Sequence, residues 1–129
     1  LEECKTLSYV LFFYLLLVKH AVADLWLQSR LNNPKYGDKK NLIDRKLWIH
    51  SLDHAVPTAV ITLLFAGLWW AIIAALLDFV LHSVIDWIKR VYTLDRKITT
   101  KQNLFWKIQA VDQILHYTTY LIIILLVIN

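Results

Sequence analysis

Histidine and carboxylate side chains recur at four-residue steps through segments that are otherwise apolar. His20, Asp24 and Gln28 are spaced i, i+4, i+8, and His50 and His54 are four apart with Asp53 beside them. Asp78, His82 and Asp86 repeat the step, and Asp112, Gln113 and His116 form a fourth group. Residues four apart lie on one helical face, so each segment presents one polar stripe. Neutral imidazole and carboxylate are the hard-to-borderline ligands that suit zinc, manganese or iron, and helical bundles build metal sites from such facing stripes. Lys19 reads as a snorkelling or salt-bridging neighbour, and Lys89 as a rim residue able to meet an anionic group. The single Cys4 excludes an internal disulfide and a thiolate-rich zinc site.

The elements that must position these stripes follow from composition. Of the 129 residues 58% are hydrophobic, with six Trp, six Tyr and five Phe. That length allows one domain, 1–129, and the composition is too apolar for a soluble domain of this size. Two Gly and two Pro give almost no turn vocabulary, so the chain must be largely helical. A transmembrane β-barrel would alternate apolar and polar residues, which this sequence does not. Helix one is expected over about 7–31. From about Leu47 the chain is helical to about Arg90, and those 44 residues would make a helix of about 66 Å, twice the hydrocarbon thickness. The run must fold back near Ala66-Gly67-Leu68, giving helices at 47–66 and 68–90, with Pro57 expected to kink the first. Helix four is expected over 103–128. The chain has no Met, so its true start is expected upstream or removed, and the first apolar run, lacking a small-residue cleavage pattern, is expected to be a mature helix.

Charge placement predicts orientation. Arg30, Lys35, Lys39, Lys40, Arg45 and Lys46 flank the first loop, and Lys89, Arg90, Arg96, Lys97, Lys101 and Lys107 the second. Twelve of the 14 basic residues thus fall on one side of a four-span bundle, and none in the central hairpin. By the positive-inside rule both basic loops are cytoplasmic and both termini outside, in a multi-pass membrane protein, with Trp69 and Trp70 at the outer interface. The net charge of +4 therefore reflects topology and lipid contact, not nucleic acid. His50 lies four residues from Lys46, His82 seven from Lys89, His116 nine from Lys107 and His20 ten from Arg30, or about 6–15 Å from the basic rim. All five histidines are expected in one layer. A charged carboxylate facing lipid is costly, so the stripes should face one another or a wet cavity.

His20-Ala21-Val22-Ala23-Asp24-Leu25-Trp26-Leu27-Gln28, His50-Ser51-Leu52-Asp53-His54, His82-Ser83-Val84-Ile85-Asp86-Trp87-Ile88-Lys89 and Asp112-Gln113-Ile114-Leu115-His116 occur in that order. Together they resemble a bacterial and phage family of small membrane proteins, domain-of-unknown-function family 3307, over about residues 10–125. The resemblance implies the fold and extends to His20, Asp24, Gln28, His50, His54, His82, Asp86, Lys89, Asp112, Gln113 and His116, but not to Asp53 or Asp78. The chain is also similar to membrane-bound metal-dependent hydrolases with His-x-x-x-Asp helices, which is analogy of pattern.

The function expected is a membrane-embedded metal-dependent hydrolase acting on a lipid or lipid-linked substrate. His20, Asp24, His50, His54, His82, Asp86, Asp112 and His116 are the expected ligands of one or two divalent ions, zinc first, manganese or iron otherwise. Eight exceed one tetrahedral site, so either two ions bind or some residues only support the ligands. Asp86 or Asp112 would act as general base, Lys89 would hold an anionic group, and Gln28 and Gln113 would orient ligands or substrate. The alternative is a non-enzymatic phage or bacterial membrane protein, an assembly partner or an ion or proton conduit, with a structural metal or a polar network. Haem between paired histidines is disfavoured by the carboxylates at the same level. A homo-oligomer or a membrane-protein partner stays open.

Overall fold

The computed structural model describes residues 2–27 and 41–129. Among these residues the fold is all-α, and four helices are long and apolar enough to cross a membrane. Helix α1 (Glu2–Val22) continues as a π-helical segment (Ala23–Leu27); α2 is Arg45–Ala66, α3 Leu68–Asp95 and α4 Asn103–Ile128. Helix one thus begins earlier than expected, and its predicted last residues, 28–31, lie outside the described residues together with Gln28 and most of the first basic loop. Helix α4 has the expected bounds.

The α2–α3 hairpin turns on one residue. Gly67 has φ 85° and ψ 178°, a conformation essentially confined to glycine, and its N–H closes α2 on the Leu63 carbonyl. No heavy atom would lie within 4 Å of a Cβ there, so the backbone conformation and not crowding requires the glycine. Pro57 lies inside α2 as predicted. At its other end α3 overruns its predicted stop by five residues, ending at Asp95 instead of Arg90. Lys97 adopts φ 51°; its N–H bonds the Leu94 carbonyl, and the Ile98 N–H bonds the Thr93 carbonyl. This paired closure stops the helix where backbone, and not charge, allows it.

Each helix buries a seam of residues four apart: Phe12, Leu16 and His20 on α1; His50, His54, Thr58 and Thr62 on α2. On α3 the seam is Ala74, Asp78, His82 and Asp86, and on α4 it is Asp112, His116, Tyr120 and Ile124. Rows of this spacing form the ridges by which helices pack. Large apolar residues such as Val10, Val60, Leu64 and Trp69 are exposed, an inversion expected where lipid is the solvent. The hairpin end of the bundle is filled by Phe12, Leu16, Ala74, Tyr120, Ile123 and Ile124, with Phe12 stacked on Phe65 at 5.0 Å. The polar seam residues occupy the other half, towards the basic ends of α2, α3 and α4. There Arg90 donates to Asp44, the residue that caps α2, at 2.9 Å. Trp48 and Trp106 donate their indole N–H groups to the Leu42 and Thr100 carbonyls, anchoring both loops at that end.

Candidate metal centre

All five histidines meet in one buried layer, with relative exposures from 0% to 6%. His82 lies at the middle of an imidazole stack, 3.7 Å from the His54 ring and 4.1 Å from His116 between centroids. His50 packs on His54 at 4.7 Å, and His20 lies 4.9 Å from both His54 and His116. Four helices position these rings, because each supplies one seam and the seams converge.

Two carboxylates organise the imidazoles. Asp24 belongs to the π-helical segment, a helix variant common at functional sites. Its Oδ1 lies 3.1 Å from His54 Nε2 and 3.4 Å from His50 Nε2, while its Oδ2 lies 3.2 Å from His20 Nε2. Asp86 Oδ2 lies 3.3 Å from His50 Nε2 and 3.4 Å from His82 Nε2, and its Oδ1 3.5 Å from His116 Nε2. Each carboxylate therefore offers its two oxygens to different imidazoles. One ligand atom from each of Asp24, His50, His54 and His82 falls within 4.8 Å of the others, as it does for His82, Asp86 and His116. Asp112 joins the second group through Oδ1, 3.5 Å from His116 Nε2.

The hydrogen bonding of this layer is incomplete in a specific way. His54 Nε2, His116 Nε2 and Asp112 Oδ1 are buried without a hydrogen-bond partner, although each faces another ligand-type atom, and the Nδ1 atoms of His50, His54 and His82 also lack one. Buried polar groups are rarely left so, and a cation is one species that satisfies lone pairs converging on one point. Ligands held at about 2.0–2.1 Å around a tetrahedral ion lie about 3.3–3.4 Å apart. Five pairs of ligand atoms among Asp24, His50, His54, His82 and Asp86, His50 Nε2 to His82 Nε2 at 3.3 Å included, lie 3.1 to 3.4 Å apart, within groups that span up to 4.8 Å. The residues present could hold a metal.

His20 stands beside both groups. Gln113 Nε2 donates to Asp24 Oδ2 at 3.1 Å, so Gln113 Oε1 accepts from His20 Nε2, also at 3.1 Å. The Tyr120 hydroxyl then donates to His20 Nδ1 at 2.8 Å. With both ring nitrogens engaged, His20 braces Asp24. Lys89, expected at the rim, instead turns inward: its ammonium donates to Asp112 Oδ2 at 2.7 Å and lies 3.3 Å from Asp86 Oδ1. Asp86 and Lys89 are three apart on one helical face, which favours that direction. Asp53 is half-buried and belongs to neither group. Asp78 forms a separate buried cluster, accepting from Lys19 and from Thr58, both at 2.5 Å.

Tyr120, Thr58 and the Ser83–Ser51 hydroxyl contact at 2.7 Å were not singled out from the sequence. A signal existed for two of them: Tyr120 continues the step from Asp112 and His116, and Thr58 the step from His50 and His54.

No curated protein and no solved structure matches the chain. Over residues 11–129 it matches the model of the family described as protein of unknown function (DUF3307), and with nearly its whole length covered the chain belongs to that family.

Proposed function

We propose that the protein is a membrane-embedded metal-dependent hydrolase acting on a lipid or lipid-linked substrate, in a bacterial inner membrane with its basic loops cytoplasmic. The observation that carries this reading is the surplus of buried ligand atoms, His54 Nε2, His116 Nε2 and Asp112 Oδ1, inside a helical bundle of membrane-spanning length. Charge points the same way. Counted with ionised carboxylates and neutral imidazoles, Asp24, Asp86 and Asp112 against Lys89 leave two negative charges, which one divalent cation, or protons on two of the imidazoles, would cancel. Leaving them uncompensated in a membrane interior is costly.

Asp24, His50, His54 and His82 would offer a resident ion four ligand atoms, the number a tetrahedral ion takes, zinc by donor type. His82, Asp86 and His116 form the neighbouring set; His82 is common to both, so one ion would use it at a time, and three protein ligands leave room for a reactant. A divalent ion there would supply Lewis acidity, acidifying water and polarising a phosphoryl or acyl oxygen. The chain's own residues would do the rest. Asp112 holds Lys89 through Oδ2 and keeps Oδ1 free to take a proton, which makes it a better general base than Asp86. Lys89 would fix an anionic group of the substrate, and Gln113 holds Asp24 and His20 in place. A proton or ion conduit is less well supported, because Phe12, Leu16, Phe65 and Ile123 fill the half of the bundle such a path would have to cross.

Elemental analysis of the protein purified in detergent should find at least one stoichiometric divalent ion, lost in Asp24→Asn and His54→Ala. Absence of any bound ion in protein that retains its helical circular dichroism would remove the hydrolase. Orientation is tested separately. Cysteines introduced at Thr100 and at Ser8 should label from opposite sides of the membrane, and labelling from one side would refute the four-span topology.

A further inference from the structure

A cavity of about 320 Å³ lies between α3 and α4 on the outside of the metal centre. Its walls are apolar, with Ile88, Ile108, Val111 and Leu115 among them, and Val111 and Leu115 are exposed on the surface that lipid would contact. Its charged lining consists of Lys89, Lys107 and Asp112. Lys89 and Asp112 are the same groups that border His116, so the cavity abuts the ligand set with room for a reactant. Lys89 is 21% exposed against 2% for Asp112, so within the charged layer it is the more open of this pair. An ammonium has three donors, and Asp112 and Asp86 face two of them.

We propose that this groove is the binding site for one lipid carrying an anionic phosphate headgroup, entering sideways from the leaflet at the basic end. Its chain would lie against Ile88, Ile108 and Val111, and its phosphate would meet Lys89, with Lys107 at the mouth. The volume is that of a small-ligand cleft, which are mostly apolar with a few placed polar groups. The occupant is argued from the combination of features. Apolar walls facing the bilayer select a hydrocarbon chain, and two lysines select an anion. The same end of the molecule carries the basic residues that draw anionic headgroups to a membrane surface. This rests on the reading of Asp86, Asp112 and His116 as the reacting edge, and it names the substrate class of that edge as a phosphate ester of a lipid.

The test is native mass spectrometry of the full-length protein in detergent, with and without chelator, titrated with phosphatidic acid, chain-matched diacylglycerol and inorganic phosphate. Phosphatidic acid should bind one to one. Diacylglycerol should bind about tenfold or more weakly, as expected for the loss of a charge-assisted contact. Inorganic phosphate should show no saturable binding in the same range. Val111→Trp, which fills the groove from its exposed side, should abolish phosphatidic acid binding and leave metal content unchanged; Lys107→Ala should weaken binding less. Equal binding of phosphatidic acid and diacylglycerol would overturn the headgroup assignment. Unchanged binding in Val111→Trp would overturn the groove. A native dimer dissociated by Val111→Trp would show that a second copy of the chain, not lipid, covers this face. The metal reading fails separately: lipid selectivity surviving in protein that holds no ion would keep the groove and remove the hydrolase.

Discussion

The bundle contains two buried ionic clusters one helical turn apart, and they are built on opposite principles. In the first, Asp78 accepts from Lys19 and Thr58, and Lys19 also donates to the His54 carbonyl at 3.1 Å. Cation and carboxylate are matched and the donors have acceptors. In the second, three carboxylates and five imidazoles share one ammonium, and six ligand-type atoms have no partner. A closed pair ties helices together, which matters where lipid removes the hydrophobic drive to pack. A cluster rich in lone pairs does the same when a cation, or protons on its imidazoles, completes it. The difference separates structural polarity from a candidate site more sharply than burial does, since Asp78 and the five histidines are all buried.

Breaking the first cluster should produce the largest effect. Asp78→Ala leaves the Lys19 ammonium buried without a counter-charge, a loss of about 3–5 kcal/mol in comparable buried pairs. Thermal unfolding in detergent should show that loss, while metal content per folded chain stays as in the parent protein. The double replacement Lys19→Met with Asp78→Leu should recover most of it, because no charge is then stranded. A fall in metal content in Asp78→Ala would merge the two clusters into one.

Removing the ion from the second cluster should come next. Binding to the folded state alone stabilises it by about 2.7 kcal/mol when free metal is a hundredfold above its dissociation constant. Chelation should therefore lower the melting temperature, and zinc or manganese should restore it. His82→Ala should abolish the response, because His82 belongs to both ligand groups. Chelator-independent melting of the parent protein would leave the second cluster as a polar network only.

Much of this contrast could be read from spacing. A His or Asp in an apolar helix stands out because lipid tolerates it so poorly, and four such stripes at four-residue steps had to converge. The hairpin was legible for a related reason: a run too long for one span needed a break, and Gly67 was the residue that permits one. The π-helical segment was not legible, because Ala23–Leu27 has the composition of ordinary helix and its winding is decided by packing. The end of α3 was misplaced because the charges at Lys89 and Arg90 mark the end of the apolar run, not of hydrogen bonding; Lys97 closes the helix instead. Lys89 was expected to look outward because a lysine near a rim usually snorkels. Two carboxylates facing inward from α3 and α4 outweighed that tendency. Partition of the eight expected ligands between metal contact and bracing needs side-chain geometry, as His20 illustrates.

Tyr120 joins the two clusters, and the smallest predicted effect lies there. Its ring receives the Lys19 ammonium at 4.4 Å from the centroid, and its hydroxyl donates to His20 Nδ1. Tyr120→Phe keeps the ring and removes the hydroxyl, so it touches only the second cluster. Stability of the metal-free protein should fall by about 1 kcal/mol or less, the net worth of one hydrogen bond. Metal affinity should fall by about tenfold, the lower end for partners that orient a ligand, because His20 then holds Asp24 less firmly. Tyr120→Leu removes both contacts and should also destabilise the metal-free protein, through the lost cation–ring contact and packing. Competition with a zinc indicator reads the affinity, and melting in chelator reads the stability. If Tyr120→Phe instead tightens metal binding, the freed Nδ1 of His20 has become a ligand, and His20 moves from brace to first contact with the ion.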